Sequence, residues 1–516
     1  MPEKRLRTES TYEEKNVSEF VSSCASFTSN VSFVGVGDDA VIGPTVALIG
    51  TTTELAALDT KALPIAKATI DRLISQAVPG SIFATAEGEI RLLLGVVPTQ
   101  SSRHNCPTRP DVITSLAQAA LDDPLAKKGL DIVVGSTELL CIATAIARGA
   151  NKKFSAKVGN DNRGYLSKFT PIRVHFPVSL SQKQRVALAA TVDSVQLCQV
   201  LVDAPTNLLD TTTFAELAQL YGETLGFDVE ILRGEALREK GYGGIYGVGK
   251  AAEFPPALAI LSYNPNGGIT PEKKLAFVGK GIVYDTGGLG IKTPKNLMCG
   301  MKRDMGGAAA VFTSFLAAVR MNVTSQVTCL LCLADNAIGP RSQRNDDIVR
   351  MKSGLTVEVN NTDAEGRLVL GDGVFHASAL LPYTPDVIVD MATLTGAQGV
   401  ATGKYHAAIY SNSGEYEVRT QEAGRKCGDL VFPVVYCPEF HNKEFSSKVA
   451  DYKNSVANVS NAQVSCASQF IGNNLASDFG GAWVHVDLAA PATRDEATGF
   501  GVALALQLFF ADHFAF

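Results

Sequence analysis

From about residue 203 to its end, this chain alternates short apolar runs with stretches of helical spacing, and no other feature restricts its fold as much. Residues 229–232, 257–263, 275–279, 327–333, 356–359, 386–391, 407–410 and 483–488 read as strands. Residues 308–320, 368–381 and 501–511 read as helices. Strand-then-helix alternation predicts an α/β domain whose central, mostly parallel sheet is covered by helices on both faces. Ligands of such sheets sit beyond the carboxyl ends of strands.

At 516 residues the chain exceeds one ordinary core, so at least two domains are expected. The polar stretch 1–30 reads as a loosely held start. Residues 46–50, 90–97, 131–135 and 172–176 read as strands, and 66–78, 110–121 and 138–148 as helices. Together they predict a separate N-terminal α/β domain over 1–180. Residues 181–202 lack Gly and Pro and carry apolar side chains at helical spacing. They predict a connecting helix, with the larger domain over 203–516. The Gly35-Val36-Gly37-Asp38-Asp39 run lacks the third glycine of a dinucleotide loop and reads as a turn.

The net charge of −6 argues against nucleic acid as a partner. There is no uncharged apolar run long enough for a membrane span, and no apolar leader at the N-terminus. A cytoplasmic location is the expectation. The ten cysteines follow no framework of spacings, and the CxxC of Cys329 and Cys332 lies inside an apolar run. A buried strand explains it better than a redox or zinc pair.

The chemistry is concentrated in two stretches. In Asn361-Thr362-Asp363-Ala364-Glu365-Gly366-Arg367-Leu368, extended backbone would point Asp363, Glu365 and Arg367 from one face. Gly366 would let the backbone pass close to a ligand. Upstream, residues 279–307 add Lys280, Asp285, Lys292 and Asp304. Four carboxylates balance two divalent cations; left alone in one pocket they raise each other's pKa. Oxygen ligands suit magnesium or manganese, and zinc accepts them too. Paired metals ~3.5–4 Å apart share a water whose pKa falls to about 7, which implies hydrolysis. Lys280 would ligate only as a neutral amine. Lys292 would stay an ammonium and stabilise an oxyanion. Arg367 is suited to hold a small planar anion. Taken singly, each acid has a plainer role: Asp304, for example, would cap the helix near Ala308. The joint pattern outweighs those separate readings.

At these residues the chain resembles the cytosolic leucyl aminopeptidase family, peptidase family M17, and within it an animal branch of probable aminopeptidase-like proteins. Residues 361–368 match that family's motif without a change, 279–307 match its other metal-binding block, 390–397 its substrate loop and 497–501 its closing motif. The resemblance covers roughly 195–516 and is only general before that. It implies a metalloaminopeptidase that hydrolyses N-terminal residues from short peptides with a free N-terminus, through a water bridging two divalent ions (zinc or manganese, or magnesium). One ion would lie on Lys280, Asp285, Asp304 and Glu365, the other on Asp285, Asp363 and Glu365. Bicarbonate on Arg367 would be the general base, Lys292 would polarise the scissile carbonyl, and Thr393, Leu394 and Gly396 would line the substrate channel. A homohexamer is implied as well. Two departures stand out: one extra residue within 293–300, and Thr286 where the family has Ser. A hexameric scaffold without activity is the alternative, and a two-metal phosphatase is disfavoured because 279–281 lacks a phosphate-cradle spacing.

Overall fold

The computed structural model describes residues 12–38, 42–59, 63, 65–150, 153–157, 165–166, 169–265, 270–293 and 298–516. The first half contributes β1 (Val31–Val34), β2 (Thr45–Gly50), β3 (Ile82–Glu87), β4 (Ile90–Val96), β5 (Leu130–Val134) and β6 (Ile172–His175). They form one sheet in the order β1-β6-β5-β2-β4-β3. All its pairings are parallel except β3 on β4. The four strands expected from the sequence are present. β1 and β3 escaped notice because they are edge strands with mixed exposure.

The second half adds β7 (Asp228–Arg233), β8 (Ala257–Tyr263), β9 (Lys274–Asp285), β10 (Gln326–Asn336), β11 (Ile348–Arg350), β12 (Thr356–Glu358), β13 (Val387–Ala392), β14 (Ala407–Ser411), β15 (Val431–Pro433), β16 (Tyr452–Lys453) and β17 (Ala482–Asp487). Eight of them make a mixed sheet in the order β15-β14-β17-β13-β9-β10-β8-β7. Its middle strands β17, β13, β9 and β10 run parallel. The molecule therefore has the expected two-domain α/β architecture. Two expectations fail in detail. β12 is not in the main sheet but in a side sheet with β11 and β16. β9 does not stop before Lys280; it continues to Asp285, because both its faces are buried nearly throughout.

Helices Gly306–Arg320, Gln182–Asp203 and Val502–Phe510 cover one face of this sheet, and Gly366–Ala379 and Gln463–Gly472 the other. Gly279 permits the close approach of the first: a Cβ there would lie 2.4 Å from Ala308 Cα. Helix Gln182–Asp203 opens with a capping box of Ser181 and Gln184. It is more than a connector, since it is buried against helices from both halves and one apolar core runs through it. Among the described residues it is the one helix long and apolar enough to cross a membrane, and 78% of that window is buried inside the protein.

The described part of the polar start, residues 12–30, is firmer than expected, and residues 1–11 lie outside the described residues. Tyr12–Ala25 is a helix, with Phe20 and Cys24 buried four residues apart. Tyr221 Oη donates to Cys24 O at 2.7 Å and ties it down. The Gly35–Asp38 segment is the expected turn: Gly37 has φ +94° and Gly35 N donates to Asp38 Oδ2 at 2.8 Å. Asp39 lies outside the described residues. Cys329 and Cys332 are buried in β10, as expected.

A buried pair of Tyr242 and His376, the latter on the helix Gly366–Ala379, sets an acid limit. His376 Nδ1 and Tyr242 Oη share a hydrogen bond of 2.7 Å, and burial, with Lys352 and Lys240 nearby, lowers the imidazole to about 4. Its folded pKa is below the unfolded value of ~6.5, so its contribution is present above pH 6.5 and is lost as pH falls toward 4. Between pH 7 and pH 5 this one group is expected to remove about 2 kcal/mol of stability. Urea unfolding of wild type and His376→Gln at both pH values checks it: the variant should lose correspondingly less on acidification, and equal losses would refute the assignment.

Candidate active site

Each of the four central parallel strands delivers a polar group at its carboxyl end: Asp285 from β9, Asn336 from β10, Thr393 just after β13, and Asp487 from β17. A register shift between Ala334 and Asp335 sets Asn336 opposite Asp285. Asn336 Nδ2 and Gly287 N both donate to Asp285 Oδ1, at 2.8 and 2.9 Å, and fix that carboxylate.

The loop after β9 turns through Gly287 and Gly288, with φ of +84° and +63°. Thr362 locks it to the second motif: its Oγ1 donates to Gly287 O at 2.7 Å and accepts from Gly290 N at 2.7 Å. A Cβ on Gly287 would sit 2.8 Å from Asp363 Oδ1, so glycine is required where the two loops touch. Thr286 keeps a hydroxyl at its position, donating to Asn336 O at 2.6 Å.

The second motif is not extended. Asn361 to Asp363 form a turn, closed by Asp363 N on Asn361 Oδ1 at 2.9 Å. Glu365 is already in the right-handed helical region (φ −79°, ψ −35°) and precedes the helix Gly366–Ala379, which carries Arg367. The acids still converge, because the turn, rather than a strand pleat, swings Asp363 alongside Glu365. Asn454 pins the turn through Nδ2, which donates to Asn361 O at 2.6 Å and to Ala364 O at 3.2 Å. Its carbonyl O accepts from Arg367 Nη1 at 3.0 Å.

Lys280 points from β9 into the cluster. Its Nζ lies 2.7 Å from Asp304 Oδ1 and 3.1 Å from Glu365 Oε1, and donates to Thr393 O at 2.9 Å. Gly366 makes room for it, since a Cβ there would be 2.4 Å from Lys280 Cε. Asp304 does not cap the following helix, whose first residue is preceded by Met305. It instead accepts from Lys280 and from Thr393 Oγ1 at 2.9 Å. Lys292 Nζ bridges Asp285 Oδ2 at 2.7 Å and Asp363 Oδ1 at 2.6 Å.

Burial opposes the charge on Lys280, but Asp304, Glu365 and Asp285 outweigh it and hold the ammonium above its ordinary range. Lys292 is raised in the same way, against burial, by Asp285 and Asp363. Burial first, and then crowding by neighbouring carboxylates, raises Asp304, Glu365 and Asp363. Burial lowers Arg367 to about 10. A neutral Lys280, as ligation demands, therefore needs a dication to take the place of its proton. The donor set fits such ions. Asp285, Asp363 and Glu365 each offer an oxygen within 4.8 Å of the others. Asp304 Oδ2 and Glu365 Oε2 are buried with no hydrogen-bond partner, which is costly unless something binds them.

All ten residues expected from the sequence line one cavity of about 700 Å³: Lys280, Asp285, Lys292, Asp304, Asp363, Glu365, Arg367, Thr393, Leu394 and Gly396. Cys299 lines it too, from the segment with the extra residue, as does Met301 just after it; 294–297 of that segment lie outside the described residues. Sequence reasoning missed Asn336, Asn454 and Asp487. Asp487 accepts from Leu394 N at 3.1 Å and Thr395 Oγ1 at 2.7 Å and so shapes the substrate loop. Lone Asn and Asp residues with no local pattern gave no signal.

The catalytic-domain pattern of the cytosol aminopeptidase family matches residues 196–506, and that of M17 aminopeptidase N-terminal domain 2 matches 44–160. The chain is similar to probable aminopeptidase NPEPL1 of Homo sapiens, 50% identical over 425 residues, which is 81% of this chain and 79% of the human protein. Its fold is similar to that of leucyl aminopeptidase from Trypanosoma brucei in complex with bestatin, at 48% identity and TM-score 0.92, covering 97% of this chain and 99% of that one. A more distant likeness is the bottromycin maturation enzyme BotP in complex with Mn, at 26% identity and TM-score 0.73, covering 92% and 100%. Fold and site together define a peptidase whose acidic cluster fits metal ions. The chain belongs to the cytosol aminopeptidase family, peptidase family M17.

Proposed function

We propose that this aminopeptidase removes N-terminal residues from short peptides at a centre of two divalent cations. The convergence of Asp285, Asp363 and Glu365 within 4.8 Å, with Lys292 bridging Asp285 and Asp363, carries the reading. Lys280, Asp285, Asp304, Asp363 and Glu365 would hold the ions, and this donor set admits zinc, manganese or magnesium. Such a pair supplies an acidified water and a Lewis acid for the carbonyl. Lys292, tethered to two carboxylates at the edge of the cluster, offers its ammonium to the oxyanion that develops on the substrate. Arg367 Nε is buried without an acceptor, which suits a small planar anion; bicarbonate held there would take the proton, as the family resemblance implies. Thr393, Leu394 and Gly396 form the wall along which the peptide lies. A homohexamer in the cytoplasm completes the reading, on the strength of the resemblance. Division into 1–180, 181–202 and 203–516 serves as its domain scheme, and the net charge of −6 counts against a nucleic-acid partner.

The test is turnover of leucyl anilide by the purified full chain loaded with Mn or Zn. Activity should vanish with a chelator and return on adding metal back. No turnover across a broad aminoacyl panel, with metal confirmed bound, would reject the proposal.

A further inference from the structure

A second cavity of about 580 Å³ lies where the two halves of the chain meet. Its charge balance is unusual for a protein of net −6. Its acids are already neutralised: Asp111 pairs with Arg109 at 2.9 Å, and Glu496 pairs with Lys153. Arg148 is also committed, to Asp429 at 2.5 Å and Thr498 O at 2.8 Å. Two cations on its wall remain uncompensated. Arg494 lies over the Tyr405 ring at 4.6 Å, and Lys404 is exposed. Among the described residues neither has a carboxylate within 4.0 Å. Partial desolvation, with Arg148 nearby, holds Arg494 below the usual arginine range although its side chain is exposed. Gln199 lines the same cavity, and its buried Oε1 has no donor. An arginine fork and an unpaired amide oxygen lining one cavity suit a carboxylate whose molecule also carries an N–H.

One hairpin contributes to the walls of both this cavity and the active site. The hairpin of Thr493–Arg494 and Glu496–Ala497 turns at Asp495, whose φ is +66°. Thr493 faces the catalytic cavity, while Arg494 and Glu496 face the second one. Arg303, which lines the catalytic cavity, donates to Asp495 O at 2.9 Å.

We infer that the second cavity is a regulatory site for a small organic carboxylate bearing an N–H, and that its occupancy acts on the catalytic cavity through this shared hairpin. Free amino acids, the product class of the proposed reaction, have this chemistry, and so do N-acylated ones; the link to product rests on the reading above.

Titration calorimetry on the full metal-loaded chain, with N-acetyl-L-leucine as the probe, separates the two sites, because this probe lacks the free amine of an N-terminal substrate. One binding event per chain is expected, weakened roughly tenfold in Arg494→Ala and in Lys404→Glu. Lys404 is exposed, so its variant keeps the test valid should Arg494→Ala fold poorly. L-leucine should show two events in wild type, one of them weakened roughly tenfold in Lys404→Glu; two events with N-acetyl-L-leucine inactive would reduce the second cavity to a product site alone and overturn the broader class. Saturating N-acetyl-L-leucine should shift the peptide KM at least twofold in wild type and not in the variants. No binding, equal binding in both variants, or equal binding of inorganic phosphate would each overturn the inference. Should peptide turnover be absent while N-acetyl-L-leucine binds as expected, the proposed reaction fails and the anion site stands.

Discussion

Glu365→Gln should keep the fold and lower aminopeptidase turnover on the order of 10³-fold. Glu365 is buried, its Oε1 lies 3.1 Å from Lys280 Nζ, and its Oε2 has no partner. Gln has nearly the same shape, so the turn and the helix that follows should persist. What changes is one negative charge in the group that would hold the cations, and an amide is a much weaker ligand for a divalent ion. Two measurements are needed together. Turnover on leucyl anilide should collapse and metal content should fall, while the thermal midpoint of the chelator-treated protein stays near that of wild type treated likewise. Turnover close to wild type would remove Glu365 from the catalytic centre. The same variant separates a peptidase from a scaffold, since assembly should survive it.

Lys292→Ala is expected to lower kcat by roughly 10²–10³-fold with a smaller effect on KM. The reason is its placement. Two carboxylates hold Nζ at 2.7 and 2.6 Å, so the ammonium is fixed at the edge of the cluster without donating its role to packing. A group that binds mainly the charge developing in the transition state acts on kcat, whereas one that binds the resting peptide acts on KM. Metal content should stay at the wild-type level, because removing a cation from beside Asp285 and Asp363 does not weaken their hold on other cations. A loss of metal equal to the loss of activity would recast Lys292 as a residue that only supports the site.

The expected residues meet in one cavity, although the local geometry behind that expectation was partly different. Asp363, Glu365 and Arg367 were grouped by strand periodicity, yet the segment is a turn running into a helix. Alternation of residue types does not distinguish a pleat from a turn closed by Asn361 and pinned by Asn454, and Asn454 is distant in sequence. The length of β9 was underestimated because Gly279 and Gly281 look like the start of a loop; burial against helix Gly306–Arg320 keeps them in the sheet. Asp304 looked like a cap because helix propensity follows it closely, but its buried partners come from β9 and from the loop after β13. The Tyr12–Ala25 helix was hidden by its polar composition, since its stability comes from Phe20 and Cys24 docking on a remote core.

By itself the sequence determined the α/β class, because hydrophobic periodicity is a local property of the backbone. It also determined the identity of the acids and amines, whose chemistry comes with the residue type. Only the tertiary structure decided how these groups face one another: that Lys280 reaches Asp304 and Glu365, that Lys292 spans Asp285 and Asp363, and that a hairpin near the C-terminus separates two cavities. Those relations depend on side chains far apart along the chain being brought within about 3 Å, where hydrogen bonding and charge act, and no local pattern encodes such a distance.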